Sequence, residues 1–136
     1  DTVVVENEEK ELITYADNGM MNKYYPLYLQ NNDLTGWLYV DGTNIDYPVM
    51  YRNDGNDFYM NHGFDKKKRS GGMLFMDYEC NINESDNLII YGHNMSGGTM
   101  FHELSKYKKK EFFEENGFIR FDTLYDTFSR ACLQHC

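Results

Sequence analysis

The residues best suited to chemistry gather in "YGHNMSGGTMF", residues 91–101. His93 follows the apolar run "NLIIY", stands between Gly92 and Asn94, and leads into Ser96-Gly97-Gly98. Imidazole takes and gives protons near neutral pH, and at the mouth of a strand it is open to solvent and substrate. Glycine at 92 lets a backbone or ligand come close, and the Ser-Gly-Gly stretch makes a mobile rim. Such a histidine commonly serves a nucleophile, a cysteine, a serine or a water. It can equally be a metal ligand or a plain polar residue at a turn, and the residues alone leave these readings open. Asn94 could orient a substrate or the imidazole, or stabilise the turn. The thiols are Cys80, Cys132 and Cys136. Their odd number and the absence of a C-x-x-C pair argue against a disulfide framework. Zinc on Cys132, His135 and Cys136 would want a second regularly spaced pair of ligands, which the chain lacks, so neither metal nor cofactor is expected.

Something must hold this histidine in place. Residues 6–31 read as helical: "ENEEKELITYA" is rich in helix formers, and "NKYYPLYLQNN" sets Tyr24, Leu27 and Tyr28 on one face, with Pro26 near a helix start. From Gly36 the period changes to that of strands. "GWLYV", Asp41-Gly42 and "NIDYPVMY" read as a hairpin, and Pro48 makes its second strand an edge or a bent one. "NDGNDFYMNHGF" is a polar connection with room for one helical turn, and "GGMLFMD" and "NLIIYGH" are buried strands. "GTMFHELSKY" and "KKKEFFEEN" read as short helices before "FIRF" returns to strand. Trp37 and Tyr39 are read as core and surface of one strand, Tyr91 as buried under the barrel or else lining a groove, Cys80 as a loop thiol, and His62 and His102 as surface residues. The expected fold is mainly β, with helices at the N-terminus and in the connections.

The bulk properties narrow the function. With 136 residues the chain is long enough for one ordinary core, and 41% hydrophobic and 16% aromatic content argues against disorder. A net charge of -9 argues against nucleic acid as a partner; "KKKR" at 66–69 and "KKK" at 108–110 read as solvated charge. No stretch reaches the roughly 20 apolar residues of a membrane span. The opening "DTVVVENEEKE" has no signal-peptide pattern, so a mature or trimmed form is expected, with any anchor removed.

Five blocks in order, "GWLYVDGTNIDYPVMY", "DFYMNHGF", "GGMLFMD", "NLIIYGHNMSGGTMFHELSKYK" and "FIRFDTLYD", resemble the successive blocks of class B sortases. The resemblance implies a sortase-like β-barrel, here possibly incomplete, with residues 1–35 as a helical segment packed on it, 36–126 as the barrel and 127–136 as a divergent tail. It implies a cysteine transpeptidase of Gram-positive bacteria, extracytoplasmic and membrane-anchored in its full-length form. Its partners would be a surface-protein sorting signal of the Asn-Pro-x-Thr type and a peptidoglycan amine. His93 would be the catalytic histidine. In the family a cysteine in "TLxTC" and an arginine on the next strand complete the site. Here "CLQHC" keeps only Leu133 and Cys136 of that motif, and Arg130 precedes the cysteine. The expectation is therefore a truncated, inactive sortase, with either self-association through an exposed sheet edge or low stability; the alternative is a non-catalytic fragment that binds peptide or cell wall.

Overall fold

A computed structural model of the chain describes residues 12–85, 87–95, 97–104 and 119–130. Its core is one curled, mainly β half-barrel sheet. The strands are β1 (Leu34–Val40), β2 (Asp46–Met50), β3 (Leu74–Met76), β4 (Ile90–Tyr91), β5 (Ile119–Thr123) and β6 (Thr127–Arg130), in the order β4-β3-β2-β1-β5-β6. β2 and β3 run parallel; every other neighbouring pair is antiparallel.

The expected hairpin forms from β1 and β2, turning through residues 41–45, where Gly42 takes φ 77°. Pro48 sits inside the sheet, because β2 is flanked on both sides. It is tolerated because pairing with β3 begins only at Val49↔Leu74, so the missing N–H falls where that flank has no partner. A bulge between Leu34 and Gly36 divides β1 between two cores. Leu34 packs with Met21, Tyr24, Met50, Tyr59 and Phe75, whereas Leu38 and Val40 pack with Ile45, Val49, Leu74 and Met76. β3 is buried at all three residues, as its unbroken apolar run implied.

The N-terminal part differs from expectation. One helix is found there among the described residues, α1 (Tyr25–Gln30), with Pro26 in its first turn. Residues 12–23 are turns and a bridge between Tyr15 and Met21 rather than helix. Asn18 Oδ1 accepts the Met20 N–H at 3.0 Å, and Met20 and Met21 go into the core, so tertiary burial outweighs helix propensity. Residues 6–11 of the expected helix, and the helix expected at "KKKEFFEEN", lie outside the described residues. Residues 127–130, the start of the expected divergent tail, form β6 and pair with β5 from Asp122↔Thr127 to Ile119↔Arg130, so they continue the sheet.

On the outer face, β1 and β5 meet at an ionic knot. Asp122 is 2% exposed and accepts hydrogen bonds from the Tyr24 hydroxyl and from Arg120 Nε (3.1 Å) and Nη2 (3.2 Å), with Lys23 Nζ at 3.6 Å. Burial alone would push this carboxyl up. The hydrogen bonds of Tyr24, Arg120 and Thr127 and the Arg120 charge outweigh it and hold the group below its ordinary value.

Candidate active site

β4 is two residues long and forms an outer strand of the described sheet, paired to β3 through Phe75↔Tyr91 and Met76↔Ile90. An apolar run that looked like a full strand is thus paired only at its end. His93 stands two residues past that end, half-buried. It lines a groove of about 300 Å³ with Asn56, Met60, Phe75, Tyr91 and Gly92. Phe75 is the apolar floor, 5.3 Å from the Tyr91 ring in a tilted contact.

Gly92 is dictated by space. A Cβ there would lie 2.5 Å from Leu74 Cδ2 and 2.7 Å from Phe101 Cδ2. The chain after His93 folds back on itself: the Phe101 N–H donates to the His93 carbonyl at 2.7 Å, and Asn94 bridges to Met100. The β1–β2 loop clamps this return. Asn44 Nδ2 donates to the Gly98 carbonyl at 2.8 Å, and the Asn44 N–H to Glu103 Oε1 at 2.7 Å.

The imidazole has a defined orientation. His93 Nε2 lies 2.7 Å from the Met60 carbonyl oxygen. A carbonyl can only accept, so Nε2 carries a proton and Nδ1 is the nitrogen left to exchange one with a ligand. Opposite, Asp77 organises the other lip: its Oδ1 accepts from Asn56 Nδ2 at 2.8 Å and from the Tyr91 hydroxyl at 3.3 Å. The Asp77 charge, with some burial, raises the Tyr91 phenol, which stays a neutral donor at the groove edge. An apolar floor, a proton-exchanging nitrogen and polar lips suit an extended peptide whose scissile group needs a proton.

The sequence expectations sort clearly by position. Asn94 is exposed, and its Oδ1 accepts the His102 Nδ1–H at 2.7 Å; it is not one of the residues lining the groove. His102 is therefore engaged rather than plain surface, and His62 stacks on Phe58 at 4.0 Å. Tyr91 is 41% exposed, not buried, because register with Phe75 turns its ring into the groove. Trp37 and Tyr39, two residues apart on the same side of β1, divide as core and surface: Trp37 packs against the core and stacks on Tyr24, whereas Tyr39 is exposed. Cys80 is buried with Leu74 and Met76 and directs Sγ toward the Asn87 carbonyl at 3.8 Å. Cys132, His135 and Cys136 lie outside the described residues, as does Ser96. Among the described residues no cluster of His, Cys, Asp or Glu could hold a metal ion. The residues that sequence reasoning missed are Asn56 and the Met60 carbonyl in the groove, and Asp77 behind it, which bonds Asn56 and Tyr91. Asn56 looked like one more polar residue of a Gly-broken loop, and a main-chain carbonyl leaves no signal in a sequence.

Residues 38–116, more than half of the chain, match the sortase domain family. The chain belongs to the sortase family. It is 46% identical over 106 residues to sortase B of Listeria monocytogenes, covering 76% of this chain and 42% of that protein. It thus spans about two fifths of that relative's length. Among solved structures it resembles Bacillus anthracis sortase B in complex with AAEK1 (TM-score 0.79, 28% identity, 94% of this chain and 66% of that one). It also resembles the Staphylococcus aureus sortase B-substrate complex, with TM-score 0.75 and 29% identity over 94% of this chain and 55% of that one. The mainly β fold expected from the sequence is thus a sortase B fold.

Proposed function

We propose that this chain carries the proton-exchanging, peptide-cradling part of a sortase B-type cysteine transpeptidase. Such an enzyme cleaves a C-terminal sorting signal of the Asn-Pro-x-Thr type and joins the acyl fragment to a peptidoglycan amine. The observation that carries the reading is His93 at the end of an apolar groove, with Nε2 committed to the Met60 carbonyl and Nδ1 left for the reaction. In that reaction a thiolate attacks the Thr carbonyl, and the imidazolium gives a proton to the departing amine. The neutral imidazole then takes one from the amine that attacks the thioester. Asn94, bridged to Met100 and bonded to His102, holds the turn after His93 rather than lining the groove. Because the acceptor is cell wall, the domain works outside the membrane of a Gram-positive cell, tethered by an anchor in the full-length form.

The chain as given binds the peptide without turning it over. Cys80, the one thiol among the described residues, is buried in the core, and Arg120 is committed to Asp122. Loss of an oxyanion donor alone costs roughly 100- to 1000-fold in rate. β4 and β6 are the outer strands of the described sheet, and the chain self-associates through such an edge.

The test pairs binding with cleavage. With a quenched Asn-Pro-x-Thr peptide, we expect peptide-dependent shifts of the Phe75, Tyr91 and His93 resonances and no cleavage. Turnover by the unmodified chain that both His93→Ala and Cys136→Ala abolish would show a working nucleophile and overturn the inactive reading. No peptide-induced shift at any of the three residues would overturn the groove assignment.

A further inference from the structure

The Met60 carbonyl that fixes the His93 tautomer belongs to a single 3-10 turn, Phe58–Met60. Three residues seldom hold their own shape, so the aim of that carbonyl depends on what fastens the turn. The fastening is at Tyr59, 2% exposed. Its hydroxyl donates to Asp33 Oδ2 at 2.7 Å and accepts from Asn31 Nδ2 at 2.9 Å. Asn31 Nδ2 also donates to the Phe64 carbonyl at 2.9 Å, beyond the turn, and Arg52 Nη1 steadies Asp33 at 3.3 Å. The main chain of Tyr59 is fixed as well, its carbonyl accepting the Met73 N–H at 2.9 Å. Next to it, Gly72 at φ +60° passes so near that a Cβ would lie 2.2 Å from the Tyr59 oxygen and 2.6 Å from the Met60 oxygen. The peptide unit that follows is held at one end by the Asn61 N–H on the Phe58 carbonyl (3.4 Å) and at the other by His93.

We infer that Tyr59 is a positioning residue for His93: anchored on Asn31 and Asp33, it aims the Met60 carbonyl and so decides which imidazole nitrogen exchanges the proton. The inference rests on the role of His93 proposed above. Tyr59 touches neither the imidazole nor the groove and acts through one main-chain oxygen. With the hydroxyl gone, the turn keeps only its main-chain ties, the Met60 carbonyl is aimed less sharply at Nε2, and both neutral tautomers become populated. Specificity for an Nδ1 proton transfer then falls away although every groove side chain is still present.

The experiment reads the imidazoles of the full 15N-labelled chain in long-range proton–nitrogen correlation spectra, for the unmodified chain, Tyr59→Phe and Asp33→Ala. The unmodified chain is expected to show His93 as the Nε2–H form, with that proton protected from exchange. Both variants are expected to show mixed tautomers and exchange faster by about tenfold, the factor matching loss of one net hydrogen bond of roughly 1.4 kcal/mol. His102, whose Nδ1–H is held by Asn94 outside the network, is the internal reference and keeps its tautomer and exchange rate. A folded variant in which His93 stays protected overturns the inference. So does equal acceleration at His93 and His102, which reports general loosening of the fold. If Tyr59→Phe does not fold, Asp33→Ala, at a half-buried site, decides the matter by the same criteria. The peptide-shift assay stands apart: its failure removes the functional reading and leaves the tautomer result as a property of the fold.

Discussion

Replacing Gly92 by alanine tests whether close packing behind His93 holds the site together. The added Cβ would meet Leu74 Cδ2 at 2.5 Å and the Phe101 ring at 2.7 and 2.9 Å, where carbon atoms prefer about 3.5–4.0 Å. Each contact is therefore short by about 1 Å. Leu74 is fully buried on a strand flanked on both sides and cannot retreat. Phe101 is half-buried and can swing outward, but its N–H holds the His93 carbonyl at 2.7 Å, so moving it disturbs the segment that carries the imidazole. Overpacking of this kind costs about 1–3 kcal/mol. For a chain of 136 residues that corresponds to a fall in Tm of about 4–12 °C. Gly97→Ala is the matched control five residues on, with nothing within 4 Å of its Cβ and no left-handed backbone to strain. It is expected to leave Tm unchanged or slightly raised, since alanine restricts the unfolded chain. Calorimetric melts of the three proteins decide the matter. A Gly92→Ala melt within about 1 °C of the unmodified protein, or equal losses in both variants, refutes the packing argument.

Asp122, held below its ordinary value when folded, contributes stability that is full above the unfolded carboxyl value and drains away as pH falls through the folded one. Urea melts from pH 7 down to pH 3 should lose stability, and Asp122→Asn should flatten that acid slope while costing about 1–3 kcal/mol at pH 7, the worth of hydrogen bonds to a charged group. An unchanged slope in the variant refutes the assignment. Sedimentation over a range of concentrations should show a rising mass average as the outer strands pair between copies. A concentration-independent monomer, with a cooperative melt above roughly 65 °C, refutes pairing through the sheet edge.

Much of the architecture was legible because it is local. Strand-period patterning marked β1 and β2, short runs marked β3 and β5, Asp41-Gly42 marked the turn between the first two, and Pro26 marked the start of α1. The placement of His93 just past a strand, between a glycine that permits close approach and a Gly-rich rim, also followed from residue order. What the sequence could not state was which distant groups meet. His93 takes its tautomer from a carbonyl 33 residues earlier, and Tyr24 reaches Asp122 across 98 residues. Burial made the other corrections. Met20 and Met21 drew residues 12–23 out of the helix their composition favoured, and Tyr91, beside Phe75 on a two-residue outer strand, opens onto the groove. Propensity and periodicity act over a few neighbouring residues and fix the strands. The proton-bearing nitrogen of His93 depends on a main-chain oxygen brought to it by the packing of Tyr59, and only the folded chain sets that contact.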